Sequence, residues 1–437
     1  MEPIKYFDGK GAEKLMHEVK GNIGSLSALN TDAKSSVVAA INELYNAMFI
    51  TKQDVNNWQN SNGTNIIEGN FKPYIIANDG TVIAGSSNNN GIKYSEDNGK
   101  TWQDSNITTG SCSKFIIAND GTIIVSPYNN GIKYSKDNGR TWQDSNITTD
   151  TYSVIIIAND GTVIAGSSSK YAKYSEDNGK TWQNSNDLYF KPKTLIIAND
   201  GTVIGGTAYG IKYSEDNGKT WQYSNITTGE NLTLIKANDG TIIAGSINND
   251  IKYSEDNGKT WQDTGITADN YKLFIIASDS TVITGSSSNG IKYSEDNGKT
   301  WQDSNITTGE CVTLFIANNG TVIACFRSNG VKYSEDNGKT WQDSNITTDV
   351  YSVFIIANDG TVIAGSSGNK GIKYSEDNGK TWQDSNITTG NYTKFITAND
   401  DTIITDSVNY GGSHNIKYCS VIKKPKWEAN NNTVEGN

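Results

Sequence analysis

Every tryptophan of this chain belongs to one repeating phrase. The ten stand at positions 58, 102, 142, 182, 221, 261, 301, 341, 382 and 427, and from Trp102 to Trp382 each follows the last by 39 to 41 residues. A period near forty is that of a propeller blade or of several helical repeats, in which each unit buries its apolar face only against its neighbours. The 437 residues are therefore one large repetitive body rather than two or three unrelated domains.

The pattern inside the period decides between blade and helix pair. In residues 114–146, "KFIIANDGTIIVSPYNNGIKYSKDNGRTWQDSN", two apolar β-branched runs flank Asn119-Asp120-Gly121, and a second pair flanks Asp137-Asn138-Gly139. Asp-Gly and Asn-Gly between such runs signal tight hairpins, because glycine accepts the positive φ of the turn. Four strands, A to D, thus fill each period, and no helical spacing competes with them. Strands A and B are apolar on both faces, as expected of sheets stacked on both sides. Radial stacking of four-stranded sheets meets this demand and leaves only short edges. The A–B pair recurs nine times, the C–D pair eight times with a decayed ninth at 416–427, and an extra D-like strand stands near Trp58. The expectation is a mainly β chain: a nine-bladed β-propeller over 51–430, with eight or ten blades as the alternatives and the Trp58 segment joining the last blade to the first. Residues 1–50 read as a helical segment and 431–437 as a tail.

The phrase Ser-x-Asp-x-Gly-x-Thr-Trp occurs eight times, from Ser95–Trp102 to Ser375–Trp382. It resembles the Asp box, or BNR repeat, of sialidases, sortilin-type receptors and related propellers. The resemblance implies a structural hairpin away from any active site. Its aspartates are Asp97, Asp137, Asp177, Asp216, Asp256, Asp296, Asp336 and Asp377, and its tryptophans are Trp102, Trp142, Trp182, Trp221, Trp261, Trp301, Trp341 and Trp382. A short aspartate side chain accepts backbone N–H bonds across the turn it begins. Calcium would need more oxygen ligands at alternating positions than Glu96 and Asp97 provide.

Charge and residue counts exclude several functions. A net charge of −11 disfavours nucleic acid and anionic membranes, which need clustered lysine and arginine. No apolar run is long enough to span a bilayer, and the opening MEPIKYFDGKG does not read as a secretory leader, so no membrane insertion is expected. The sialidases hold their substrate carboxylate with three arginines, and this chain contains two, Arg140 and Arg327. Lysine lacks the planar fork that would replace them. The two histidines and the four cysteines, Cys112, Cys311, Cys325 and Cys419, fall at unrelated places in the repeat. They suggest neither a metal site nor a disulfide framework, and no cofactor or catalytic residue is expected.

Comparison of the repeats separates two faces. The A–B and C–D turns barely change, whereas the D–A and B–C connections change in nearly every unit; "NDLYFKPKT" (186–194) and "GTAYG" (206–210) are examples. Strand alternation places the constant turns on one face and the variable loops on the other, where recognition is expected. The variable loops carry Tyr128, Tyr152, Tyr171, Tyr189, Phe190, Tyr209, Tyr271, Tyr351, Tyr392 and Tyr410. Tyrosine among asparagine, serine and glycine suits a glycan or a protein epitope, so these residues are the candidate ligand contacts.

Residues 21–48 break from this pattern. Val37, Ile41, Leu44 and Met48 are spaced 4, 3 and 4, a helical seam too short to be stable alone. The segment resembles the helical stretch ending in "AAINEL" near the start of phage tail-fibre and receptor-binding proteins. That likeness implies attachment to tail or baseplate proteins through residues 1–50, commonly as a homotrimer. The leading expectation is a receptor-binding protein of a phage tail or a phage-tail-like bacteriocin (tailocin), released by lysis and recognising a bacterial surface glycan or surface protein. A carbohydrate-active hydrolase using acids of the variable face, and an intracellular assembly factor, are the rival readings.

Overall fold

The computed structural model describes residues 49–63, 71–167, 171–187, 189–207, 209–226, 230–247, 250–266, 270–408 and 414–425. Two compact units are distinguished: Val55–Ser420, and a smaller one of Met1–Asp54 with Val421–Asn437. In the smaller unit, Phe49–Gln53 and Val421–Pro425 pair as an antiparallel ribbon. The expected helix through Val37, Ile41, Leu44 and Met48 lies outside the described residues.

Val55–Ser420 folds as nine sheets, each a four-stranded antiparallel blade; in blade 1 the two residues Asn62–Gly63 add a fifth strand, parallel to Thr101 and Trp102. Blade 1 shows the order: Phe71–Ile76, Val82–Ser86, Ile92–Ser95 and Thr101–Asp104. The turn between A and B is closed by aspartate, as where Asp79 accepts the Thr81 N–H at 2.9 Å, with Gly80 at φ +91°. Strand B is buried along its whole length in every blade whose burial is fully described, as the two-sided apolar runs require. The A strands of successive blades lie side by side, and Asn391–Thr397 of blade 9 meets Phe71–Ile76 of blade 1, which closes the ring.

Closure departs from the expected pattern in one respect. Residues 416–427 do not form a ninth C–D hairpin; His414–Cys419 is strand C, and Val421–Pro425 leaves to pair with Phe49–Gln53. The outer strand of blade 9 is instead Gln59–Asn60, which pairs with Tyr418 and Lys417. The segment after Trp58 therefore completes the last blade, and closure is made by both ends of the unit.

Packing between blades uses the same parts at each junction. The glycine of each S-x-D-x-G-x-T-W hairpin faces an isoleucine in strand B of the preceding blade. A Cβ on Gly139 would come within 2.3 Å of the Ile83 side chain, and one on Gly99 within 2.5 Å of Ile404 across the closing seam. With φ values of +85° and +83°, these positions admit only glycine without strain. At six junctions the lysine or arginine of one hairpin pairs with the glutamate of the previous one, as Arg140 with Glu96 at 2.6 Å and Lys219 with Glu176 at 2.6 Å. Lys100 pairs instead with Asp400, and Lys180 with Asp120, of the A–B turns.

Candidate functional site

The repeated hairpin satisfies itself. Ser95 Oγ donates to Asp97 Oδ1 at 2.8 Å and accepts the Gly99 N–H at 2.8 Å. Thr101 donates its N–H at 2.7 Å and its hydroxyl at 2.6 Å to the two oxygens of Asp97. Trp102 Nε1 donates to the Gly99 carbonyl at 2.9 Å. The pattern recurs in the other seven hairpins, as with Asp256, Thr260 and Trp261. Burial alone would raise the Asp97 carboxyl, but hydrogen bonds from Thr101 and Ser95 outweigh it and hold the pKa below the ordinary 3.8. Carboxylates engaged in this way are framework.

The opposite face carries the individual residues, and the structure divides the ten aromatic candidates. Tyr152, Phe190, Tyr271, Tyr351 and Tyr392 are at most 1% exposed, which removes them from an exposed recognition surface. The four tyrosines stand six residues before the buried alanine that ends strand A, the place held by Phe71, Cys112 and Cys311 in other blades. There the side chain fills the gap between blades, against the small residue in strand B of the preceding one. A Cβ on Gly365 would meet Tyr392 Cβ at 2.7 Å, and where Ser126 replaces that glycine its hydroxyl accepts the Tyr152 N–H at 2.8 Å. Tyr410 lies outside the described residues.

Four candidates are exposed: Tyr189 (84%), Tyr209 (81%), Tyr128 (65%) and Tyr171 (36%). Tyr128 stands alone on blade 2, whereas the other three gather on blades 3 and 4. They are joined by Tyr223, 67% exposed, which the loop comparison missed because it lies in strand D. Its signal was nevertheless present, since six of the eight hairpins continue "TWQD", blade 3 continues "TWQN" and blade 4 alone continues "TWQY".

That substitution reorganises the rim of blade 4. In blades 1, 2, 5, 6, 7 and 8 a strand-C lysine pairs with the strand-D aspartate, as Lys93 with Asp104 and Lys292 with Asp303. Lys212 has no such partner, and pairs instead with Asp187 from the connection between blades 3 and 4. Its ammonium sits 3.6 Å from the Tyr223 ring centroid and 5.7 Å from that of Phe190, an aromatic cage around a buried cation. Burial works against the Asp187 carboxylate, but bonds from Lys212 and the Tyr189 N–H, with the Lys212 charge, hold its pKa below the ordinary value.

Around this core lies a cleft of about 300 Å³, lined by Tyr189, Phe190, Lys191, Thr207, Tyr209, Gly210, Ile211, Lys212 and Tyr223. The loops that present the tyrosines are pinned by short side chains: Asp187 Oδ1 accepts the Tyr189 N–H and Thr207 Oγ1 accepts the Tyr209 N–H, both at 2.9 Å. Tyr171 contacts Tyr189 edge-on at 6.4 Å between centroids, and Lys191 lies 5.6 Å over the Tyr171 ring. Apolar rings, a floor with a few polar groups and fixed turns are the features of a recognition site.

Both arginines are engaged in ion pairs: Arg140 with Asp79 and Glu96 on the constant face, and Arg327 with Glu310 through two nitrogens.

Residues 272–398 match the family described as the DUF6242 beta propeller domain. No curated protein matches the chain. Among solved structures, the Dos1 propeller is similar at 11% identity and a TM-score of 0.51, covering 84% of this chain and 95% of that one. The computationally designed Ika8 protein is similar at 12% identity and a TM-score of 0.48, over 71% of this chain and 96% of the other. A GH74 enzyme of Niastella koreensis is similar at 14% identity and 0.39, over 78% and 72%. At these identities the likeness concerns the fold alone: the chain is a nine-bladed β-propeller similar over part of its length to the DUF6242 propeller domain.

Proposed function

We propose that this protein is a receptor-binding component of a phage tail or phage-tail-like bacteriocin, and that it recognises a bacterial surface glycan or surface protein. One observation carries the reading: exposed tyrosines gather where blades 3 and 4 depart from the lysine–aspartate rim repeated in six other blades. Exposing Tyr189, Tyr209 and Tyr223 leaves large apolar rings in water, and pinning their loops lowers the ordering cost of binding a partner. The eight hairpins, read as Asp boxes, support the blades without meeting the partner. The resemblance of the "AAINEL" segment supports attachment to a tail as a homotrimer, and a seam of under two heptads is too short to be stable without packing partners. Three propellers on one fibre would multiply weak contacts.

The test is cosedimentation with intact cells of a panel of bacteria, with and without Tyr189→Ala, Tyr209→Ala and Tyr223→Ala combined. The expected result is retention on some strains that the triple variant loses while its melting temperature stays within a few degrees. Retention on no strain, or equal retention of the variant, would defeat the proposal. Release of reducing sugar from those cells would favour a hydrolase instead.

A further inference from the structure

We infer that the cleft on blades 3 and 4 takes a saccharide carrying an anionic substituent, a carboxylate or a phosphate. The inference rests on the reading of this cleft as a recognition site and specifies its ligand.

The charge pattern is the first observation. The rim lysines of six blades are neutralised by their own strand-D aspartates, so the repeated rim carries no excess charge. Of the box-bearing blades, 3 and 4 lack that carboxylate: Lys173 meets Asn184 at 2.5 Å, and Lys212 meets Tyr223. The connection between these blades returns one carboxylate, Asp187, and adds two lysines, Lys191 and Lys193. Five other connections carry an acid, namely Asp150, Glu230, Asp269, Glu310 and Asp349, of which Glu310 is paired with Arg327 and Asp349 with Lys370. Two lysines of blades 3 and 4, Lys191 and Lys212, line the cleft, on a chain whose net charge is −11. Lys212 is neutralised by Asp187. Lys191 lies in the cleft wall over the Tyr171 ring and makes no ion pair with a carboxylate among the described residues.

The second observation is shape. At about 300 Å³ the cleft lies at the lower end of the roughly 300–1,000 Å³ of small-ligand pockets. One or two sugar rings fit this scale. A pyranose presents C–H groups to the negative face of an aromatic ring, and Tyr209 and Tyr223 supply such faces. Thr207 lines the cleft beside them, and Lys191 is the cation for a substituent. An ammonium meeting a carboxylate or phosphate forms a charge-assisted hydrogen bond, about twice as strong as a neutral one.

The experiment uses the full chain and three probes in saturation-transfer NMR titrations: methyl glucoside, glucuronic acid and glucose 1-phosphate. At least one acidic probe should bind about tenfold more tightly than the neutral one, a preference that added salt erodes. Lys191→Ala should remove the preference, and Tyr209→Ala with Tyr223→Ala should remove binding of every probe, with the melting temperature unchanged. The acidic arm that responds identifies carboxylate or phosphate. Equal binding of neutral and acidic probes, no binding of either acid, or a preference that survives Lys191→Ala would overturn the inference. The same acids are then added to cells that retain the protein. Retention that depends on Tyr209 and Tyr223 but ignores the acids sinks this inference and leaves the recognition site standing; retention indifferent to those tyrosines sinks both.

Discussion

Asn386 holds the backbone of Trp58 across 328 residues of sequence: its Oδ1 accepts the Trp58 N–H at 3.1 Å and its Nδ2 donates to the Trp58 carbonyl at 3.2 Å. The same two-bond clasp joins Asn106 to Trp142 at 2.8 and 2.9 Å, and Asn345 to Trp382 at 2.8 Å for both bonds. The N-terminal strand that completes blade 9 is therefore clasped to blade 8 as at other blade junctions. Asn386→Ala removes both bonds and leaves a partly buried backbone pair to find water. An unfolding free energy lower by about 1–3 kcal/mol is expected from urea titration. Asn106→Ala, which breaks the junction between blades 1 and 2, should cost a similar amount; an Asn386 clasp that costs nothing would mean that the N-terminal strand is held by other contacts.

Among the described residues, one junction lacks the asparagine itself. Gly265 stands where other blades place the asparagine, and Trp301 is correspondingly the one hairpin tryptophan that is only partly buried. No clasp secures the seam between blades 5 and 6. In native-state hydrogen exchange the Trp301 amide should exchange faster than the clasped amides of Trp142, Trp261 and Trp341. Protection at Trp301 equal to theirs would show that the clasp contributes little.

These two junctions also show how far the sequence could be read. The blade count, the hairpins and the closing role of the Trp58 segment follow from a period and its turn residues, which are local signals. The place of Tyr351 was misjudged because it adjoins a variable loop, and only its constant distance from Ala357 places it between blades. Tyr223 was passed over for the opposite reason: it sits in a constant strand, where one changed letter converts an ion pair into an aromatic cage. The pairing of Lys212 with Asp187 depends on how a loop folds back over a strand 25 residues later, which no periodicity encodes.

The eight hairpin aspartates couple stability to acid. Burial disfavours each charged form, yet the threonine and serine bonds prevail and depress the pKa below the ordinary 3.8, for Asp97 as for Asp336. A depressed folded pKa gives stability that is fully present above the unfolded value and is lost as pH falls through the folded one. The hairpins should thus contribute no pH dependence between pH 7 and pH 5, and a steep loss of stability below an ordinary aspartate pKa. Asp97→Asn should make the acid limb of the melting-temperature profile shallower, and an unchanged limb would show that this carboxylate is not coupled to folding.

All four cysteines are buried free thiols. Burial pushes the Cys112 thiol up to about 12 and the Cys325 thiol up to about 11, the latter despite a bond from the Tyr351 N–H. The thiolate is the reactive form, so an alkylating reagent at pH 8 should leave these two cysteines unmodified in the native protein and modify both in denaturant. Mass spectrometry after brief iodoacetamide treatment reads the result directly. Rapid native labelling of Cys112 or Cys325 would reveal an opening of the blade edges that the packing does not provide for.

Tyr351 and Tyr209 offer the sharpest contrast between frame and site, because composition and loop position alone made them look alike. Tyr351 is fully buried, and its hydroxyl donates to the Lys370 carbonyl at 3.3 Å. Truncation to alanine opens a cavity between blades 7 and 8 and should cost about 3–5 kcal/mol, as for other large buried rings. Tyr209 is 81% exposed, and its backbone rather than its ring is held by Thr207. Tyr209→Ala should change stability by no more than about 0.5 kcal/mol. The two variants should then separate completely: Tyr351→Ala lowers the melting temperature and retains cell binding below it, whereas Tyr209→Ala melts like the parent and binds less. Should Tyr351→Ala melt normally and lose binding, the assignment of the strand-A tyrosines to the frame would be wrong.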